Sequence, residues 1–119
     1  MADEIRFSYP TGSTLYARIF DPDGDVWNGT AFEDWANANV ADYDVALTDG
    51  SSGLYLADWP TDIDPGFQPG YILIVYLQAA GAPAITDIPV SDATTFEWDG
   101  TSMLYYTVEK GLLNIYDER

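Results

Sequence analysis

The sequence predicts an all-β protein: an antiparallel β-sandwich, immunoglobulin-like in a broad sense, with about seven or eight short strands and at most one short helix. Three observations carry that reading. Residues 71–77, Tyr-Ile-Leu-Ile-Val-Tyr-Leu, are all β-branched, aromatic or Leu. The run is too short for a lone helix and is bounded upstream by Pro69 and Gly70. Gly, Pro and Asp punctuate the chain at short intervals, as turns between short strands do. Helical spacing arises in only two places. Thr30-Ala-Phe-Glu33 has the spacing of a capping box, with Phe32, Trp35 and Ala36 on one face if a turn or two of helix follows. Leu104, Val108, Leu112 and Ile115 form a possible stripe, but Gly111 and the β-rich residues 105–108 favour a strand or an extended arm.

Taken in order, residues 5–9 read as a first strand, closed by Pro10-Thr11-Gly12-Ser13. Residues 15–20 read as a second. One of its rows is Leu15, Ala17 and Ile19, and the other, Tyr16, Arg18 and Phe20, is not simply polar. Asp21-Pro22-Asp23-Gly24 fits a β-turn with Pro second and Gly fourth, so Val26-Trp27 begins a return strand. Residues 42–48 alternate, with Tyr43, Val45 and Leu47 on the inward row. Residues 54–58 lead into Trp59-Pro60 and a Pro/Gly-dense link that suits a corner between sheets. The strand at 71–77 follows, with both rows apolar: Tyr71, Leu73, Val75 and Leu77 on one, Ile72, Ile74 and Tyr76 on the other. Both of its faces therefore need cover, from this chain or from a neighbouring copy. Residues 85–90 read as an edge strand because of Pro89, and residues 94–98 as a further strand. Tyr71, just after Pro69-Gly70, is placed either to bond back across the link as a tyrosine corner or to serve as an ordinary buried aromatic. The division expected is a sandwich domain over 1–100 and an arm or additional strand over 101–119.

Composition narrows the function. The 119 residues include no Cys and no His, which excludes disulfides, thiolate metal sites and every Ser-His or Cys-His nucleophile. Four Lys and Arg against 20 acids give a net charge of −16, too few cations to neutralise phosphates, so nucleic acid is not an expected partner. The acids are spread along the chain, mostly Asp, as in turns and a solvated surface whose self-repulsion salt would screen. Met1-Ala2-Asp3-Glu4 is acidic where a secretory signal would be basic, and no apolar run approaches a membrane span. The expectation is a protein made in a cytoplasm without a signal peptide and without a membrane partner.

Few residues suggest chemistry. Asp21, Asp23 and Asp25 offer alternating oxygen ligands for Ca²⁺, but Val26 and Phe32 stand where an EF-hand needs Gly and Glu, which favours a plain turn. Asp62 and Asp64 beside Pro65-Gly66 read the same way. Carboxylate pairs for glycoside hydrolysis can be drawn at will among so many acids, and nothing ranks one above another. Asp49-Gly-Ser-Ser-Gly53 lacks the Lys and helix of a phosphate loop. No enzyme is expected. Four Trp, at 27, 35, 59 and 98, stand at strand ends or in loops. Trp27, Trp59 and Trp98 would form a glycan-binding platform if exposed in a row; otherwise they plug the open end of a sandwich.

The ordered set Asp-Pro-Asp-Gly-Asp-Val-Trp-Asn-Gly (21–29), Tyr-Asp-Val-Ala-Leu-Thr-Asp (43–49), Ser-Gly-Leu-Tyr-Leu-Ala-Asp-Trp-Pro (52–60), Pro-Gly-Tyr (69–71), Val-Tyr-Leu-Gln (75–78) and Trp-Asp-Gly (98–100) resembles small β-sandwich proteins encoded among tailed-phage and prophage virion genes. The resemblance spans roughly residues 14–100 and rests on turns and core positions. It implies a non-enzymatic structural protein of a virion, in head decoration, neck or tail, or beside a fibre. Such a protein is held by copies of itself or by other virion proteins. No catalytic or binding residue carries over with it. On this reading residues 101–119 are the docking arm, with Leu104, Tyr105, Leu112, Leu113, Ile115 and Tyr116 as its contact residues. A carbohydrate-binding module using Trp27, Trp59 and Trp98 is the alternative.

Overall fold

The computed structural model describes residues 4–63, 70–98 and 103–105. Among the described residues eleven strands follow one another: β1 (Ile5–Ser8), β2 (Leu15–Phe20), β3 (Val26–Trp27), β4 (Phe32–Glu33), β5 (Val45–Ala46), β6 (Thr48–Asp49), β7 (Leu54–Ala57), β8 (Tyr71–Leu77), β9 (Ile88–Pro89), β10 (Thr94–Trp98) and β11 (Met103–Tyr105). The only helical element among the described residues is a short 3-10 segment, Asn37–Asp42. The protein is all-β, with two antiparallel sheets in a sandwich-like arrangement.

The longest pairing joins the two most apolar runs. β2 and β8 lie antiparallel over six residue pairs, from Leu15 opposite Leu77 to Phe20 opposite Ile72. Around this pair the larger sheet runs β11-β10-β8-β2-β3-β4, with β5 also on β2 and β9 also on β8. The smaller sheet is β1-β7-β6. Leu15, Ala17 and Ile19 from β2, Leu73 and Val75 from β8, and Ile5, Tyr55 and Ala57 from the smaller sheet fill the space between them. Trp27, Trp59 and Tyr71 belong to the same core. A side chain such as Ile19, with 1% of its surface left in water, contributes about 1.5–3 kcal/mol by burial.

Several segments depart from local expectation. Phe32 and Glu33 open no helix: they form β4, with Phe32 opposite Trp27 and Glu33 opposite Val26. The Asn28 side chain accepts the N–H groups of Thr30 and Ala31, shaping a hairpin loop where the capping box was expected. The expected strand over 42–48 is split. β5 pairs with β2 in the larger sheet and β6 with β7 in the smaller, so the chain changes sheets at Leu47. The edge strand near Pro89 starts only at Ile88, because residues 84–87 fold into a turn closed by the Asp87 N–H on the Ala84 carbonyl. Tyr71 is buried against Phe32 and Trp59. The Tyr55 hydroxyl spans a turn: it donates to the Pro10 carbonyl at 2.8 Å and accepts the Ser13 N–H at 3.1 Å.

The Asp21-Pro22-Asp23-Gly24 turn forms as its residues dictate. The Gly24 N–H reaches the Asp21 carbonyl at 2.9 Å, and Gly24 takes φ +90°, where a side chain would be strained. Met103–Tyr105 extends the larger sheet by pairing with β10, Leu104 opposite Glu97 and Tyr105 opposite Phe96. Leu112, Leu113, Ile115 and Tyr116 lie outside the described residues.

Candidate functional site

The side of the larger sheet turned away from the core carries the second row of both central strands. Tyr16 stands opposite Tyr76, Arg18 opposite Ile74, and Phe20 opposite Ile72. A strand that buries both of its faces needs cover on each, and part of it comes from two later segments. Residues 35–43 bring Trp35 and Tyr43, whose rings meet at 4.8 Å, and residues 84–87 bring Asp87.

Arg18 sits beneath this cap, 5% exposed. Its guanidinium carbon lies 4.1 Å from the Tyr76 ring centre, 4.9 Å from Trp35 and 5.6 Å from Tyr16. The ring faces replace part of the hydration the cation has given up. One terminal nitrogen donates to the Tyr16 hydroxyl at 3.2 Å and to the Ala84 carbonyl at 3.4 Å, while Nε has no hydrogen-bond partner. The Tyr16 hydroxyl in turn donates to Asp87 at 2.7 Å, and the Asp87 carboxylate also accepts the N–H groups of Ala79 and Ala84. Burial works to raise the Asp87 carboxyl. The N–H of Ala84, the Tyr16 hydroxyl, the N–H of Ala79 and the charge of Arg18 outweigh it and hold the group below the usual carboxylate range. Burial, together with the bond to Asp87, pushes the Tyr16 phenol well above its ordinary range.

Glu33 fastens the other end of the cap. It accepts the Tyr43 hydroxyl and the side-chain amides of Asn28 and Asn39, and these bonds, Tyr43's first, lower its carboxyl. The cover is partial. Ile72, Ile74 and Tyr76 remain half-buried, Trp35 keeps 40% of its surface in water, and Ile85, on the turn beside Arg18, keeps 55%.

A cleft of about 430 Å³ opens elsewhere, walled by Asp21, Pro22 and Asp23 of the first hairpin turn, Thr30 and Ala31 of the second, and Asp62 and Ile63. Trp27, Phe32 and Tyr71 form its floor, with Trp27 at 5.1 Å from Phe32 and Phe32 at 5.8 Å from Tyr71.

The residues singled out from the sequence are distributed as follows. Trp27 is 5% exposed and Trp59 1%, so neither offers a free ring face, and these two act as core, as the plug reading has it, rather than as a glycan platform. Trp98 ends β10. Asp21 turns one carboxylate oxygen onto the N–H groups of Asp23 and Asp25 at 3.0 and 2.9 Å, which spends it on the turn. Among the described residues no three acidic side chains are grouped to hold a metal ion, the candidate set Asp21, Asp23 and Asp25 included. Two carboxyls do meet. Across the β3–β4 hairpin the neighbouring Asp34 carboxyl, burial and the charges of Asp21 and Asp23 raise the Asp25 carboxyl. No spacing in the sequence marks this pair, because hairpin register brings it together. Arg18 was legible only as the one charge in an otherwise apolar and aromatic strand.

Compared with family models, with curated proteins and with solved structures, the chain matches none. Among the described residues no helix is long and apolar enough to cross a membrane.

Proposed function

We propose that this chain is a non-enzymatic structural protein of a phage virion that works through contacts with copies of itself or with other virion proteins, using the outer face of its larger sheet. The observation that carries the contact role is the half-finished cover of that face. Ile72, Ile74 and Tyr76 lie half-buried beside an exposed Trp35 and Ile85. Exposed aromatic and aliphatic residues grouped around a desolvated centre are what protein interfaces use as anchors. The assignment to a virion rests on the resemblance of residues 14–100 to small phage sandwich proteins. The glycan-binding alternative is weakened by the burial of Trp27 and Trp59.

Light scattering after size exclusion, together with electron microscopy of the purified protein, tests the reading. Oligomers or ordered assemblies are expected, and the double variant Trp35→Ala/Ile85→Asp should return them to monomer with the β-sheet spectrum unchanged. A protein that stays monomeric at every concentration and does not bind virion particles would overturn the proposal.

A further inference from the structure

The cleft beside the first hairpin joins two chemistries. Its mouth is acidic: Asp23 and Asp62 are exposed, and their carboxylates have no hydrogen-bond partner among the described residues. Asp21 adds a third charge, with one oxygen committed to the turn. Its floor is aromatic and apolar, with the half-buried Phe32 ring between Trp27 and Tyr71 and with Pro22 and Ala31 at the sides. Neither described cation lines it. Arg18 is under the outer cap and Arg6 lies on β1 opposite Leu56.

Each class of ligand can be weighed against that surface. Anions are repelled by the mouth and by a chain of net charge −16. A small metal ion would leave the ring floor unused, and the carboxylates are not grouped to chelate one. A sugar ring needs a broad aromatic face, whereas Trp27 and Tyr71 are 5% and 4% exposed. A long, flexible stem ending in a positive head fits both parts. Methylenes pack on Phe32, Pro22 and Ala31, and the head reaches Asp23 and Asp62.

We propose that this cleft binds a long-stemmed organic cation, an alkylammonium or alkylguanidinium of the kind carried by lysine, arginine or a free diamine. The volume, about 430 Å³, lies within the range of roughly 300–1,000 Å³ typical of small-molecule sites. The site is separate from the outer sheet face and does not depend on that face being an interface.

Two-dimensional ¹H–¹⁵N NMR of the full chain tests the proposal, with Gly-Lys-Gly, Gly-Arg-Gly and 1,5-diaminopentane as probes and NaCl and CaCl₂ as controls. Saturable shifts are expected at the amides of Asp23, Phe32 and Asp62 and at the Trp27 indole. Saturation by the peptides assigns the site to a cationic side chain of a protein partner, and saturation by the diamine alone assigns it to a free amine. The double variant Asp23→Asn/Asp62→Asn, whose spectrum elsewhere should match the parent, is expected to weaken binding about tenfold, each exposed pair supplying a modest share. Shifts spread evenly over the acidic surface and following ionic strength would overturn the proposal. So would saturation of these residues by Ca²⁺ but not by the organic cations.

Discussion

The two faces of the β2–β8 pair are built on opposite principles. Toward the smaller sheet the row is Leu15, Ala17, Ile19, Tyr71, Leu73 and Val75, a surface that needs only volume and exclusion of water. Away from it the row holds Tyr16, Arg18 and Tyr76, and the cap over it works through directed contacts: ring faces on a guanidinium, a phenol between a cation and a carboxylate, and Glu33 gathering three donors. The first face is closed. The second stays open at its margin, where Trp35 and Ile85 are exposed. Non-directional packing tolerates exchange of side chains of similar volume. A buried cation tolerates only partners that keep it solvated.

The largest expected effect breaks the closed face. Trp59→Ala removes a 1%-exposed indole from the main core and should cost about 3–5 kcal/mol of stability in urea unfolding, enough to unfold a marginal domain. Next, Arg18→Ala leaves the aromatic cage empty and should cost about 2–3 kcal/mol. Arg18→Met, apolar and of similar length, should recover most of that loss, since a desolvated charge can be replaced by a hydrophobe at little cost. If Met is as damaging as Ala, the cation itself and not its volume holds the cap.

Tyr16→Phe deletes the hydroxyl linking Arg18 to Asp87 and should cost about 1–2 kcal/mol. It also removes a phenol that titrates above the ordinary range from the ultraviolet titration curve. The pH dependence of this cluster has two signs. Asp87 is depressed in the folded state, so its contribution is present above about pH 4, the unfolded range, and is lost as pH falls through the lower folded value. Tyr16 is raised, so its contribution is complete below about pH 10 and is lost as pH climbs toward the folded value. Asp87→Asn should flatten the acid limb of a melting-temperature profile and leave the alkaline limb in place. The smallest effect is expected at the surface hairpin. Asp25 is raised by the neighbouring Asp34 carboxyl and by burial, so the ionised pair opposes folding at neutral pH. Asp34→Asn should therefore raise the melting temperature slightly at pH 7 and lose that advantage on acidification.

How much of this could be read from the chain depended on whether the signal was local. The Asp21-Pro22-Asp23-Gly24 turn, the β8 run and the need to cover both of its rows are consequences of neighbouring residues, and they stand in the structure as expected. The capping-box spacing at Thr30–Glu33 was equally local and gave the wrong element, because hairpin pairing sets Phe32 opposite Trp27, ring against ring. Trp27 and Trp59 show the same limit for the site: an indole beside a turn reads alike whether it plugs a core or faces solvent.

By itself the sequence determined the all-β class, the main turns and the acidity, since period, punctuation and charge are properties of short stretches. Only the tertiary structure decided that residues 45–49 divide between two sheets, that Arg18 is housed by rings from three segments, and that Asp21, Asp23 and Asp62 share one cleft over Phe32. These are meetings between residues tens of positions apart. They follow from strand register and from which surfaces must be hidden together, and no window of the chain contains them.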